Sequence, residues 1–246
     1  MLGAINIGNA AGGTNWPGGG YDPETHIVFA PAMNAGIGAY SLVPPPPKFS
    51  DIRYVRGVAG QPFVEVFGPG DCCSADSGFR TRDDLAPTPP PANPGAAAPA
   101  AGGGLAVQGL PILKPPYGVL SALDLDRGDL LWQVPHGDTP DNVRNHPALK
   151  GMNIPKTGQN ANVGLVVTKT LVVIGDPQFT TTPEHPRGAM LRAYDKRTGQ
   201  EVGAVYMPAP QSGSPMTYML DGKQYIVVAV SGGNYSGEYI AYRLPN

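Results

Sequence analysis

Cysteine is nearly absent. The 246 residues hold two, Cys72 and Cys73, side by side. No CxxCH haem-attachment string and no paired CxxC zinc spacing exists. Adjacent cysteines can close a vicinal disulfide or stand as two loop thiols. The surrounding GPGDCCSADSG carries no partner chemistry, so the pair reads as incidental. Charge is also scarce: Asp, Glu, Lys and Arg make up 15% of the chain and the net charge is -2, against about a quarter charged in an ordinary domain. Bulk electrostatics therefore gives nucleic acid or an anionic membrane surface nothing to bind. No run of about 18 apolar residues is present, which excludes a bilayer-spanning helix. The opening MLGAINIGNAAGGTNW has neither a basic n-region nor a sustained apolar stretch, so it does not read as a signal peptide. A GxGxxG leading into a helix, a Walker loop and a GxSxG elbow are all missing. The four histidines, His26, His136, His146 and His185, lack metal-ligand spacing.

What the chain has in abundance is glycine, 34 residues, and proline, 29. These are the two poorest helix formers, so a fold of long helices is excluded. With 41% hydrophobic residues a core is still affordable, and the composition predicts a turn-rich, all-β chain. Four segments carry strand signals beside polar turns. In residues 18–34, the turn Asp22-Pro23-Glu24-Thr25 precedes a strand at Ile27-Val28-Phe29-Ala30. In residues 117–135, Val119 to Leu123 and Leu130 to Val134 flank a turn from Asp124 to Gly128. In residues 188–208 the turn runs from Asp195 to Gly199. In residues 215–230, Asp221-Gly222 between apolar runs is a two-residue hairpin signal.

The second and third segments align. Ala122, Asp124 and Gly128 match Ala193, Asp195 and Gly199. An Asp that bonds its own backbone and a Gly with positive φ suit such a turn. Trp132 lies eight residues after Asp124, and Gly203 holds the matching place in the other repeat. Repeated hairpin units predict a β-propeller of four-stranded blades, about four of them here at about 40–45 residues each. Trp132 is expected to pack between blades. An insert from about 79 to 109 is Pro/Ala/Gly-rich and cannot bury enough area to offset its ordering entropy, so residues 86–104 are expected to be disordered. One further strand is expected from Val64 to Phe67.

Candidate chemistry is thin. GGTNW at 12–16 lets backbone approach a flat ligand and offers the Trp16 face for stacking; a tight turn with a blade-packing Trp is the favoured reading. Asn34, at a strand end, can donate to a ligand carbonyl or satisfy its local backbone. Asp138, Asp141, His146 and Asp176 are the remaining polar loop candidates.

Several strings then resemble one family: GGTNWPGGGYDPETHIVFAPAMN, GLPILKPPYGVLSALDLDRGDLLWQVPHGD, NHPALKGMNIPKTG, LVVTKTLVVIGD, MLRAYDKRTGQ, SPMTYMLDGKQYIVVAVSGG and EYIAYRLPN. In order and content they look like the C-terminal half of pyrroloquinoline-quinone (PQQ)-dependent dehydrogenases of the membrane-bound glucose dehydrogenase branch. The resemblance covers nearly the whole chain except residues 44–104. It implies an eight-bladed quinoprotein propeller with about half of the ring present, PQQ on the axis beside calcium, a sugar or alcohol substrate, and ubiquinone or a cytochrome as electron acceptor. It implies a periplasmic, inner-membrane-associated complete protein. The family's catalytic acid/base, its quinone-facing lysine and most calcium ligands precede the matching segment. A C-terminal fragment, inactive alone and binding PQQ poorly without the missing N-terminal half, is therefore the expectation. Two cofactor-binding positions carry over. Asn34 ends the strand after YDPET, where the family places an amide beside the quinone. Asn162 lies in the quinone-facing loop before LVVTKT, where Ala161 stands in place of an aromatic. The alternative is a non-enzymatic binding or assembly propeller.

Overall fold

The computed structural model describes residues 4–7, 13–34, 37–44, 48, 51, 53–58, 106–160 and 163–243. Strands dominate them: β1 (Ala4–Ile7), β2 (Gly20–Asp22), β3 (Ile27–Met33), β4 (Ile37–Val43), β5 (Val55–Val58), β6 (Ala106–Val107), β7 (Leu110–Pro111), β8 (Gly118–Asp124), β9 (Leu130–Pro135), β10 (Leu165–Val167), β11 (Leu171–Gly175), β12 (Thr180–Thr182), β13 (His185–Asp195), β14 (Glu201–Met207), β15 (Met216–Leu220), β16 (Lys223–Gly232) and β17 (Tyr235–Arg243). One turn of helix, α1 (Asp141–Arg144), and a 3-10 turn at Pro147–Leu149 interrupt them.

The predicted hairpins form at their predicted turns. β2-β3-β8-β9 is the first four-stranded sheet, and its middle is the pairing of β3 with β8 across the insert. β10-β11-β13-β14 is the second, with short β12 added beside β13. β15-β16-β17 is a three-stranded third sheet, and β1-β4-β5 forms another. At the end of the insert expected over 79–109, β6 pairs with β7, so Ala106 and Val107 belong to a hairpin. Two backbone pairings close that hairpin where the Pro/Ala/Gly composition gives way to Leu110. The expected strand from Val64 to Phe67, Cys72, Cys73 and residues 86–104 lie outside the described residues.

Sheet packs on sheet through two apolar clusters. Phe29, Leu120 and Ala122 of the first sheet meet Val172, Ile174 and Tyr194 of the second. Val173, Ala189, Leu191 and Met207 of the second meet Ile226, Val228 and Val230 of the third. Each fully buried side chain of this size contributes about 1.5–3 kcal/mol from the removal of its surface from water.

Trp132 on the outer strand β9 fastens the first interface, as its place after the turn Asp predicts. Its indole Nε1 donates to the Lys196 carbonyl at 3.2 Å, and its ring lies 5.8 Å from that of Phe29. Gly199 makes room for it: a Cβ there would sit 2.6 Å from the indole. Lys196 in the same turn reaches back to Asp22, Nζ to Oδ2, at 2.6 Å. The repeat is conformational as well as sequential. Asp124 Oδ1 accepts from the amides of Asp126 and Arg127, and Asp195 Oδ1 accepts from those of Arg197 and Thr198. Gly128 and Gly199 close the two turns at φ +75° and +71°.

Candidate functional site

β2, β10 and β15 are the first strands of three successive sheets, and β2 lies against β10. The segments leading into them converge at one end of the stack. There Trp16 and Pro17, Val163 and Gly164, and residues 211–214 line a cavity of about 290 Å³. The Gly-rich loop before β2 is held by Met33 N–H donating to the Gly13 carbonyl at 2.8 Å and Gly18 N–H to the Asn15 carbonyl at 2.7 Å. Asn15 Oδ1 accepts from the Trp16 amide. This folds the loop so that its indole projects outward. Trp16 is 96% exposed, which corrects the favoured reading of GGTNW as a turn with a blade-packing Trp. It is flanked on the chain by Asn15 and Pro17 with small residues beyond, and the interface position belongs to Trp132.

The opposite wall is closely fitted. A Cβ on Gly164 would lie 1.9 Å from Ser214 Oγ. Gln211 is buried; its Nε2 donates to the Gly164 carbonyl and its Oε1 accepts from Gly175 N–H, both at 2.6 Å. The lining thus offers an aromatic face, two serine hydroxyls and backbone, without a charged side chain.

A buried ionic cluster stands apart from that lining. Arg192 on β13 makes a two-point contact with Asp176, at 2.6 and 2.9 Å. It also pairs with Asp138 at 2.9 Å and Glu201 at 2.8 Å, and Lys156 pairs with Glu201. Burial pushes the Asp138 and Glu201 carboxyls up, but Arg192 and Lys156 outweigh it and hold both below their ordinary values. His185 faces two acceptors, the Pro186 carbonyl from Nδ1 and Asp138 from Nε2. Both ring nitrogens therefore carry protons. Burial lowers its affinity for the second proton, yet these acceptors raise it above the usual value. His136 is the reverse case. Nε2 donates to the Gly175 carbonyl, and Nδ1 lies 3.1 Å from the Tyr194 hydroxyl. Full burial holds its pKa down. The cluster joins the β9–α1 connection to the second sheet.

Sequence reasoning placed Asp138 and Asp176 in loops as polar candidates, and the fold puts both on Arg192. Asp141 instead accepts from Thr181 N–H, 40 residues away, and His146 accepts at Nδ1 from Ala148 N–H and donates from Nε2 to the Gln108 carbonyl; both serve as structural ties. Asn34 is half-buried. Its Nδ2 donates to the Pro116 carbonyl at 3.3 Å and its backbone N–H to the Tyr117 carbonyl. It directly follows Met33, the last residue of β3, which holds the loop bearing Trp16. Asn162 lies outside the described residues. Gln211 gave no sequence signal, because its partners are 36 and 47 residues away. Among the described residues, no group of three or more His, Cys, Asp or Glu side chains could hold a metal ion, and no helix is long and apolar enough to cross a membrane.

Successive antiparallel sheets with their first strands converging on an aromatic-lined cavity define a propeller-type chain. Residues 2–226 match the family described as the PQQ glucose/ethanol/alcohol dehydrogenase β-propeller domain, and the chain belongs to that family. It is similar to a probable quinate dehydrogenase (quinone) of Xanthomonas campestris pv. juglandis, 31% identical over 99% of this chain and 27% of the relative. It is also similar to a quinate/shikimate dehydrogenase (quinone) of Acinetobacter baylyi, 33% identical over 55% of this chain and 16% of the relative. A quinoprotein glucose dehydrogenase of Escherichia coli is 32% identical over 56% of this chain and 17% of the relative. The chain thus spans about a quarter or less of the length of these relatives. PQQ is the cofactor of the family.

Proposed function

We propose that this chain is part of a PQQ-dependent dehydrogenase that oxidises a sugar or alcohol, and that the cavity beside Trp16 is one wall of its cofactor site. The observation that carries the reading is the bare indole of Trp16 at the converging ends of three first strands. An exposed tryptophan face is costly to leave in water and suited to a planar ring system. The lining fits such a group: Trp16 would cover the ring face, and the hydroxyls of Ser212 and Ser214 would donate to its oxygens. This neutral wall recognises the ring and its carbonyls, and charge on the carboxylates is met elsewhere. When bound, PQQ supplies the two-electron acceptor for substrate oxidation. Asn34 stands behind the loop, and its second amide N–H is the proposed donor to a quinone oxygen. Asn162 is the proposed polar contact from the segment before Val163.

In this reading the chain is one arc of a larger ring, in keeping with the small share of its relatives' length that it spans. Calcium, the catalytic base, and transfer to ubiquinone or a cytochrome belong to the complete protein. So does its periplasmic, membrane-associated placement. The relatives' names point to polyhydroxylated alcohols such as quinate or glucose as the substrate class. The test is dye-linked oxidation of quinate, glucose and glycerol by the purified chain with PQQ and calcium. No turnover is expected; turnover by the chain alone overturns the arc reading. A non-enzymatic scaffold differs by ignoring PQQ altogether.

A further inference from the structure

The ladder between β10 and β11 stops one pair early, and a side chain stops it. Leu165 faces Ile174, Val166 faces Val173 and Val167 faces Val172, while Thr168 N–H donates to the Leu171 carbonyl. Hydrogen-bonded pairs alternate along an antiparallel ladder. After 168–171 and 166–173, the next such pair is 164–175. By that count the Gly175 N–H belongs on the Gly164 carbonyl. It donates instead to Gln211 Oε1, and Gln211 Nε2 donates to that same Gly164 carbonyl, each at 2.6 Å. The side-chain amide is inserted into a single backbone bond. The other half of the pair is also diverted, since the Gly175 carbonyl accepts from His136 Nε2 at 3.1 Å.

Two glycines make the insertion fit. A Cβ on Gly175 would lie 2.7 Å from Gln211 Oε1, and one on Gly164 would collide with Ser214. Gln211 enters from the segment before β15 of the third sheet, held there by Gln211 N–H on the Asp176 carbonyl at 3.0 Å. At the far end of the diverted segment, Gln178 Nε2 donates to the Asn160 carbonyl at 2.7 Å and its amide to Gln159 Oε1 at 3.0 Å. Both ends of the stretch that includes Val163 and Gly164 are therefore tied down by glutamines.

We propose that Gln211 is a wedge that keeps the start of β10 open from β11 and so sets the wall of the cofactor cavity, a positioning residue for a planar quinone ligand. This rests on the cavity being the PQQ wall, and two readouts separate the claims. The first is the through-hydrogen-bond NMR coupling of the Gly175 amide. In the wild-type chain it reports the Gln211 side-chain carbonyl carbon. In Gln211→Ala it is expected to move to the Gly164 carbonyl as the ladder closes. The second is quenching of Trp16 by PQQ in a Trp132→Phe background, where Trp16 is the only tryptophan. The wedge variant is expected to bind PQQ about tenfold more weakly, equivalent to about 1.4 kcal/mol. If Gln211→Ala does not fold, Gln211→Glu keeps the acceptor but sets an oxygen against the Gly164 carbonyl, and the same weakening is expected. A Gly175 amide that finds no backbone partner in Gln211→Ala overturns the wedge. An unchanged PQQ curve overturns its role in the site. A wild-type chain that PQQ fails to quench overturns the cofactor reading itself, while the coupling still decides the wedge.

Discussion

The two tryptophans of this chain do opposite work, and the difference lies in their immediate neighbours. Trp132 sits on Gly199 and Phe29 and donates to the Lys196 carbonyl. Trp132→Ala should lower stability by about 3 kcal/mol, the lower end for a large aromatic truncation, as read by urea denaturation. Gly199 and Gly128 have nearly the same positive φ, so alanine at either meets the same left-handed cost of about 1–2 kcal/mol. Only at position 199 would the new methyl also strike the indole; at 128 it meets nothing within 4 Å. Gly199→Ala should therefore destabilise more than Gly128→Ala, and equal losses would show that Trp132 is not seated there. Asn34 tests the proposed contact. In the complete enzyme, Asn34→Ala should slow turnover far more than it reduces stability. The barrier should rise by about 3 kcal/mol if its amide serves the quinone oxygen as oxyanion-hole donors do. Unchanged kinetics would remove Asn34 from the site.

Between elements, long-range charge rather than propensity fixes the second sheet against the connection from β9. The two histidines in that cluster respond to pH with opposite sign. His185 has a raised folded value, so its contribution is complete below the ordinary histidine value of about 6.5 and is lost as pH rises through the raised value. His136 has a lowered one, so its contribution is complete above about 6.5 and is lost as pH falls through the lowered value. Asp138 and Glu201, both lowered, add a further loss as pH falls through their folded values. The thermal midpoint should fall on both sides of neutrality, and His185→Gln should abolish the alkaline fall alone. An alkaline slope that persists in His185→Gln would assign it elsewhere. The local half of this architecture was legible. Asp124 with Gly128, Asp195 with Gly199 and Asp221-Gly222 carry their turns in consecutive residues, and hairpins followed. Arg192 with Asp176, or Asp22 with Lys196 at a separation of 174, left no trace in a single sequence, because nothing local distinguishes a buried ion pair from surface charge.

At the scale of the whole molecule, the sequence pattern was enough for sheets in series and for the family. It misplaced the cavity's aromatic. GGTNW looked like a packing turn because a tryptophan among glycines has no periodicity to reveal which way it faces. That depends on the Met33 bond to Gly13, which joins residues 20 apart in the chain. Gln211 was hidden for the same reason, since a wedge is defined by the strands it separates. The central claim is that Trp16 forms a wall of a PQQ site, and PQQ titration of tryptophan fluorescence in Trp16→Phe and Trp132→Phe tests it most directly. The account predicts weak but saturable quenching in Trp132→Phe and its loss in Trp16→Phe. Equal quenching in both variants, or none in either, would contradict it.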